Sequence, residues 1–103
     1  MPAYIVAQME VHDIETYREY AGKVVPTFAA FGGKLLAAND NADVREGVQP
    51  FPRTVIVEFP DMEAARAWYE SGDYQAIAPL RQAASTGTLF MIEGFSIPDA
   101  SSD

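Results

Sequence analysis

Three side chains in this 103-residue sequence have the chemistry to move a proton or hold an anion: His12, Glu58 and Arg81. His12 is the only histidine, standing where a strand gives way to a helix. Imidazole chemistry suits a general base near neutral pH; the competing reading is a histidine that closes a strand-to-helix turn. One histidine among scattered carboxylates offers no ligand spacing, so no metal is expected, and no motif speaks for haem. In the alternation of its strand, Glu58 shares a face with Thr54 and Ile56, the face expected to be enclosed. Lost hydration equips a carboxylate for proton transfer; alternatively Glu58 pairs with Arg53 or Arg81 in a structural network. Arg81 follows a Pro-Leu step on a short helical piece, where its fork could hold a carboxylate of a ligand or of Glu58.

Tyr17, Tyr20, Trp68, Tyr69 and Tyr74 could line an aromatic pocket, while Tyr17 and Trp68 at these spacings also fit a helix–sheet core. Several chemistries are excluded. The chain has no cysteine, hence no disulfide, thiolate metal site or cysteine nucleophile. Gly32-Gly33 lacks the neighbours of a phosphate loop, and no nucleophile elbow is present. The net charge of −8 opposes binding to phosphate backbones, so nucleic acid is not expected as a partner. No run approaches the ~20 apolar residues that span a bilayer, and the N-terminus has no signal-peptide pattern, so a membrane is not expected and the cytoplasm fits.

The elements that must position these groups are legible in order. Ile5, Ala7, Met9 and Val11 alternate with Tyr4, Val6, Gln8 and Glu10, which marks a strand. Asp13 is placed to cap a helix, with Thr16 three residues on. Ile14, Tyr17, Ala21, Val24, Val25, Phe28 and Phe31 recur at helical spacing. Pro26 interrupts that pattern, predicting a kink between Gly22 and Pro26, and Gly32-Gly33 ends the helix through positive φ. Lys34 to Ala38 reads as a second strand and Asn39-Asp40-Asn41 as a turn, with Asp43 to Gly47 a short edge continuation. Val55, Ile56 and Val57 are consecutive β-branched residues of a third strand that Pro60 ends; Asp61 then caps a helix through Tyr69. Asp73 is placed to cap a further helical piece that Pro79 breaks. Thr88 to Gly94 is the last strand and Ile97 to Asp103 a frayed tail, so residues 1–95 form one domain and 96–103 a flexible extension.

The order strand, helix, strand, strand, helix, strand is the split βαβ arrangement called ferredoxin-like, an α+β fold with a four-stranded antiparallel sheet and both helices on one face. The other face carries Tyr4, Val6 and Ile56 with nothing in the chain to cover it. A homodimer through that open face is therefore predicted.

With the elements placed, the chain resembles a bacterial family known as domain of unknown function 1330, of the dimeric α+β-barrel superfamily. The resemblance runs from about Tyr4 to Gly94. It is carried by Asp13 with Tyr17 and Tyr20, Phe31-Gly32-Gly33, Glu46-Gly47, Arg53 before Val55-Ile56-Val57-Glu58-Phe59-Pro60, Glu63-Ala64-Ala65-Arg66-Ala67-Trp68-Tyr69, Tyr74, Pro79-Leu80-Arg81 and Glu93-Gly94. It implies two sheets packed face to face as a barrel, and no particular reaction. The expected function is binding of a small apolar or aromatic molecule in a cleft between sheet and helices. If there is turnover, it uses no cofactor and moves a proton through Glu58 or His12, with Arg81 orienting an anionic group and Tyr17, Tyr20, Trp68 and Tyr74 around the ligand. The alternative is a stress-linked binding or interaction protein without catalysis.

Overall fold

The computed structural model describes residues 1–96, so the predicted tail from Ile97 onward lies outside the described residues. The elements are β1 (Ala3–Val11), α1 (Ile14–Ala29), β2 (Lys34–Asn39), β3 (Arg53–Phe59), α2 (Met62–Glu70), α3 (Gly72–Ala84) and β4 (Ser85–Glu93). The strands form one antiparallel sheet in the order β2-β3-β1-β4, the ferredoxin-like topology.

Period-two alternation sorts the sheet residues. In β1, Ala3, Ile5, Ala7 and Met9 are buried beneath the helices, together with Val57 and Phe59 of β3. The intervening Tyr4, Val6, Gln8, Ile56 and Glu58 are in register with one another on the opposite face. Phe90 and Ile92 of β4 join them there and stay 46% and 52% exposed.

Caps set the helix boundaries. Asp13 accepts from the amide of Thr16 at 3.2 Å and from its hydroxyl at 2.7 Å, as the sequence suggests. Asp61 accepts from the amide of Ala64 at 2.8 Å. Gly32, at φ 81°, turns the chain out of α1. Gly33 is needed for space instead, because a Cβ there would lie 2.8 Å from the Phe28 carbonyl oxygen.

α1 runs through Pro26, which interrupts the apolar pattern without ending the helix. Four local expectations need correction. α3 runs unbroken through Pro79 for 13 residues, because one missing amide is outweighed by burial of Tyr74, Ala78 and Ala84. The α3 cap is Ser71, not Asp73: its hydroxyl accepts from the Tyr74 amide at 3.2 Å and donates to the Trp68 carbonyl at 2.7 Å, so one residue joins α2 to α3. Asp43 to Gly47 is no strand but part of an exposed irregular loop, where Gly47 takes φ 78° and Arg45 pairs with Asp43. β4 also begins earlier than Thr88, leaving no loop after α3.

Candidate functional site

α1 packs beside α3, and between α1 and the sheet lies a cleft. Its floor is Ile5, Ala7, Val55, Val57 and Leu89, its roof Tyr17, Tyr20, Val24 and Phe28, and its volume about 110 Å³. Leu35 points toward the helices, opposite Val57, yet is 44% exposed because it stands at the rim.

The inner wall is aromatic. Trp68 is 2% exposed, its ring centroid 4.1 Å from that of Tyr74 and 5.5 Å from that of Phe59. Its indole N–H donates to the Thr27 hydroxyl at 3.0 Å, which ties α2 to α1. The Tyr20 and Tyr74 hydroxyls are 3.0 Å apart, and Arg81 Nε donates to the Tyr74 hydroxyl at 3.3 Å. Burial, then the neighbouring Tyr74, pushes the Tyr20 phenol well up. Tyr20 is therefore a neutral hydroxyl at any physiological pH. Burial works against the Arg81 charge, but the oxygens of Tyr74 and Tyr20 more than offset it.

A second arginine–tyrosine pair stands on the floor side. Arg53 Nε donates to the Tyr17 hydroxyl at 3.0 Å, and the guanidinium lies 5.2 Å from the centroid of that ring. One Nη also pairs with Asp40 at 2.9 Å. Arg81, by contrast, has no carboxylate partner among the described residues.

The structure does not bring His12, Glu58 and Arg81 together. The His12 side chain is exposed, and its amide donates to the Ala84 carbonyl at 2.9 Å, holding the β1–α1 turn against the α3–β4 junction. Glu58 is on the sheet face away from the helices, opposite Tyr4 on one side and Lys34 on the other. The sheet separates it from Arg81 and Arg53, so the pairing considered from sequence does not form. Parity along β3 carries that information: Arg53 is in phase with Val55 and Val57, Glu58 with Ile56. Tyr17, Tyr20 and Trp68 do line the cleft with Arg81, and Tyr74 stands behind them as the hydrogen-bonded link. Arg53 and Asp40 were not singled out as site residues from sequence. Nothing marked Asp40 beyond its turn, because its contact with Arg53 spans the whole β2–β3 loop.

The arrangement can bind and orient. No carboxylate or histidine is among the residues lining the cleft, and no cluster of metal-ligating side chains occurs among the described residues. No helix among them is long and apolar enough to cross a membrane.

The fold is similar to several solved structures. A protein of unknown function from Rhodopseudomonas palustris is 19% identical over 93% of this chain and 84% of its own, with a TM-score of 0.76. A dimeric ferredoxin-like protein of unknown function from Jannaschia sp. CCS1 is 13% identical over 91% of this chain and 100% of its own, at 0.75. SnoaB, a cofactor-independent oxygenase from Streptomyces nogalater, is 17% identical over 95% of this chain and 98% of its own, at 0.66. No curated protein matches the sequence. The family profile described as Domain of unknown function (DUF1330) matches residues 2–95, and the chain belongs to that family.

Proposed function

We propose that the protein is a homodimer closed through its open sheet face, and that each subunit binds a small apolar or aromatic molecule in the cleft beneath α1. The observation that carries the binding reading is Arg81: a half-buried cation with no carboxylate partner among the described residues, in a cleft whose other lining residues are aromatic and apolar apart from Arg53, which is paired with Asp40. Such a site favours a ligand with an apolar body and a polar end. The volume of about 110 Å³ limits its size. A cavity of roughly 150 Å³ holds benzene. The cleft is smaller than that and open at its mouth, so it takes at most one ring, with the substituent toward the mouth.

The dimer rests on the open face. Tyr4, Val6, Ile56, Phe90 and Ile92 form one apolar surface there, and solved relatives of the same fold are described as dimeric. Binding without turnover is the reading the cleft supports, since it has no proton-transfer group besides phenols. A second reading has its own observation. Glu58 is half-buried before any partner arrives and accepts no hydrogen bond from the described residues, so a covering subunit would enclose an unpaired carboxylate. Proton transfer without a cofactor would then take place between the sheets, a reading compatible with the fold of the SnoaB oxygenase.

A thermal-shift screen of small aromatic acids, lactones and haem, with mass measured by light scattering, tests both parts. A ligand at about 100 times its Kd should add about 2.7 kcal/mol to stability and raise Tm by several degrees. Trp68→Phe should weaken that shift. A monomeric mass at micromolar concentration overturns the dimer; absence of any shift across the acids overturns the cleft.

A further inference from the structure

We infer that the ligand of the cleft is a monoanion, and that Asp40 is the residue that makes it so. The inference rests on the cleft being the binding site, and it deepens that reading to a charge class. The charged side chains lining the cleft are Arg53 and Arg81, with no Asp, Glu, Lys or His among the lining residues. Arg53 is already paired, its Nη 2.9 Å from Asp40 and its Nε on the Tyr17 hydroxyl. Arg81 gives Nε to the Tyr74 hydroxyl and has the Tyr20 hydroxyl as its other polar neighbour, so no carboxylate answers its charge. The groups facing it from α1 and α3 are the Tyr20 and Tyr74 phenols. A guanidinium has five N–H donors, so Arg81 keeps donors for a ligand carboxylate after these two contacts. The cleft therefore offers one unit of uncompensated positive charge.

A neutral ligand would leave a partly desolvated guanidinium without a counter-ion. A dianion would place its second charge against the Arg53–Asp40 pair, which is already balanced and presents a carboxylate of its own. Arg18 stands near Asp40 in the outer recess, but it is solvent-exposed and screened. Asp40 thus acts on specificity through Arg53 and has no need to touch the ligand.

The test is titration calorimetry at low salt with three probes of one ring each: benzyl alcohol, benzoate and isophthalate. Benzoate should bind at least about tenfold tighter than either of the others. Asp40→Asn frees Arg53 and should improve isophthalate relative to benzoate by at least about tenfold. Arg81→Met should erase the advantage of benzoate over benzyl alcohol, while Arg81→Lys, the milder change if Met disturbs folding, should keep part of it. Far-UV circular dichroism confirms that each variant is folded. If the wild type binds all three probes equally, or the Asp40→Asn ratio does not move, the charge inference fails while the cleft stands. If no probe binds at millimolar concentration, the cleft reading fails first and takes this inference with it.

Discussion

The two faces of the sheet are built from the same strands and meet opposite fates. Toward the helices, Ala3, Ile5, Ala7 and Met9 are at most 4% exposed. One residue away in each case, Tyr4, Val6 and Gln8 remain partly open, and on β4 Phe90 and Ile92 are about half exposed. Hydrophobicity is found on both sides, undiluted along β1 on the covered face and interrupted by Gln8 and Glu58 on the open one, and it does not serve the same purpose on each. On the covered face it drives folding within the chain. On the open face, where α1, α2 and α3 never reach, it is surplus to the core of the monomer, which is the ground for the proposed dimer.

The most direct way to break this contrast is to make matched changes on each side. Trp68→Ala empties the centre of the covered face, where the indole touches Phe28, Phe59 and Tyr74. It should cost about 3–5 kcal/mol in urea unfolding. Phe90→Glu acts on the open face and should leave the fold intact. It should weaken dimerisation by at least about 2 kcal/mol, roughly 30-fold in Kd, and remove the concentration dependence of Tm. If Phe90→Glu unfolds the chain at every concentration, the open face belongs to the core after all.

A third change concerns titration. Burial and Tyr74 push the Tyr20 phenol up, whereas in the unfolded chain it ionises at the ordinary 10.0. The folded state therefore keeps its proton when the unfolded state has lost it. Stability from this source is intact below pH 10 and falls as pH rises beyond it, by up to about 1.4 kcal/mol per pH unit. Tyr20→Phe should flatten that alkaline slope in urea titrations between pH 9 and 11, while costing about 1 kcal/mol at neutral pH for the bond to Tyr74. An unchanged slope would mean that Tyr20 is not the group responsible.

The contrast between faces was largely legible in the sequence, because alternation is a local signal. The β-branched run Val55-Ile56-Val57 and the alternation of Ile5, Ala7 and Met9 place both faces without any knowledge of what covers them. What could not be read were long-range events. That α3 tolerates Pro79 depends on the packing of Tyr74 and Ala78, which outweighs a local break. That Arg53 turns to Tyr17 and Asp40 depends on the β2–β3 loop, which has no periodicity to read. The separation of Glu58 from Arg81 was available in principle from strand parity, since positions 53 and 58 must lie on opposite faces, but the helix carrying Arg81 had to be placed above the sheet first.

The smallest effect sharpens the contrast at a single atom. The Ser71 hydroxyl accepts from the amide of Tyr74 and donates to the carbonyl of Trp68, so it closes the last turn of α2 and opens the first of α3. Both helices lie on the covered face, and both neighbours are members of the aromatic wall. Ser71→Ala removes the bond at each end, leaving the Tyr74 amide without its cap, and should cost about 1 kcal/mol. Because nothing on the open face depends on Ser71, the loss should appear equally at low and high protein concentration, with the dimer dissociation constant unchanged. Ser71→Asp, which restores the acceptor and adds a negative charge at the N-terminus of α3, should recover most of it. If the alanine variant instead shifts the dimer equilibrium, the two faces are coupled through the α2–α3 junction, and the division of labour between them is less complete than their exposures suggest.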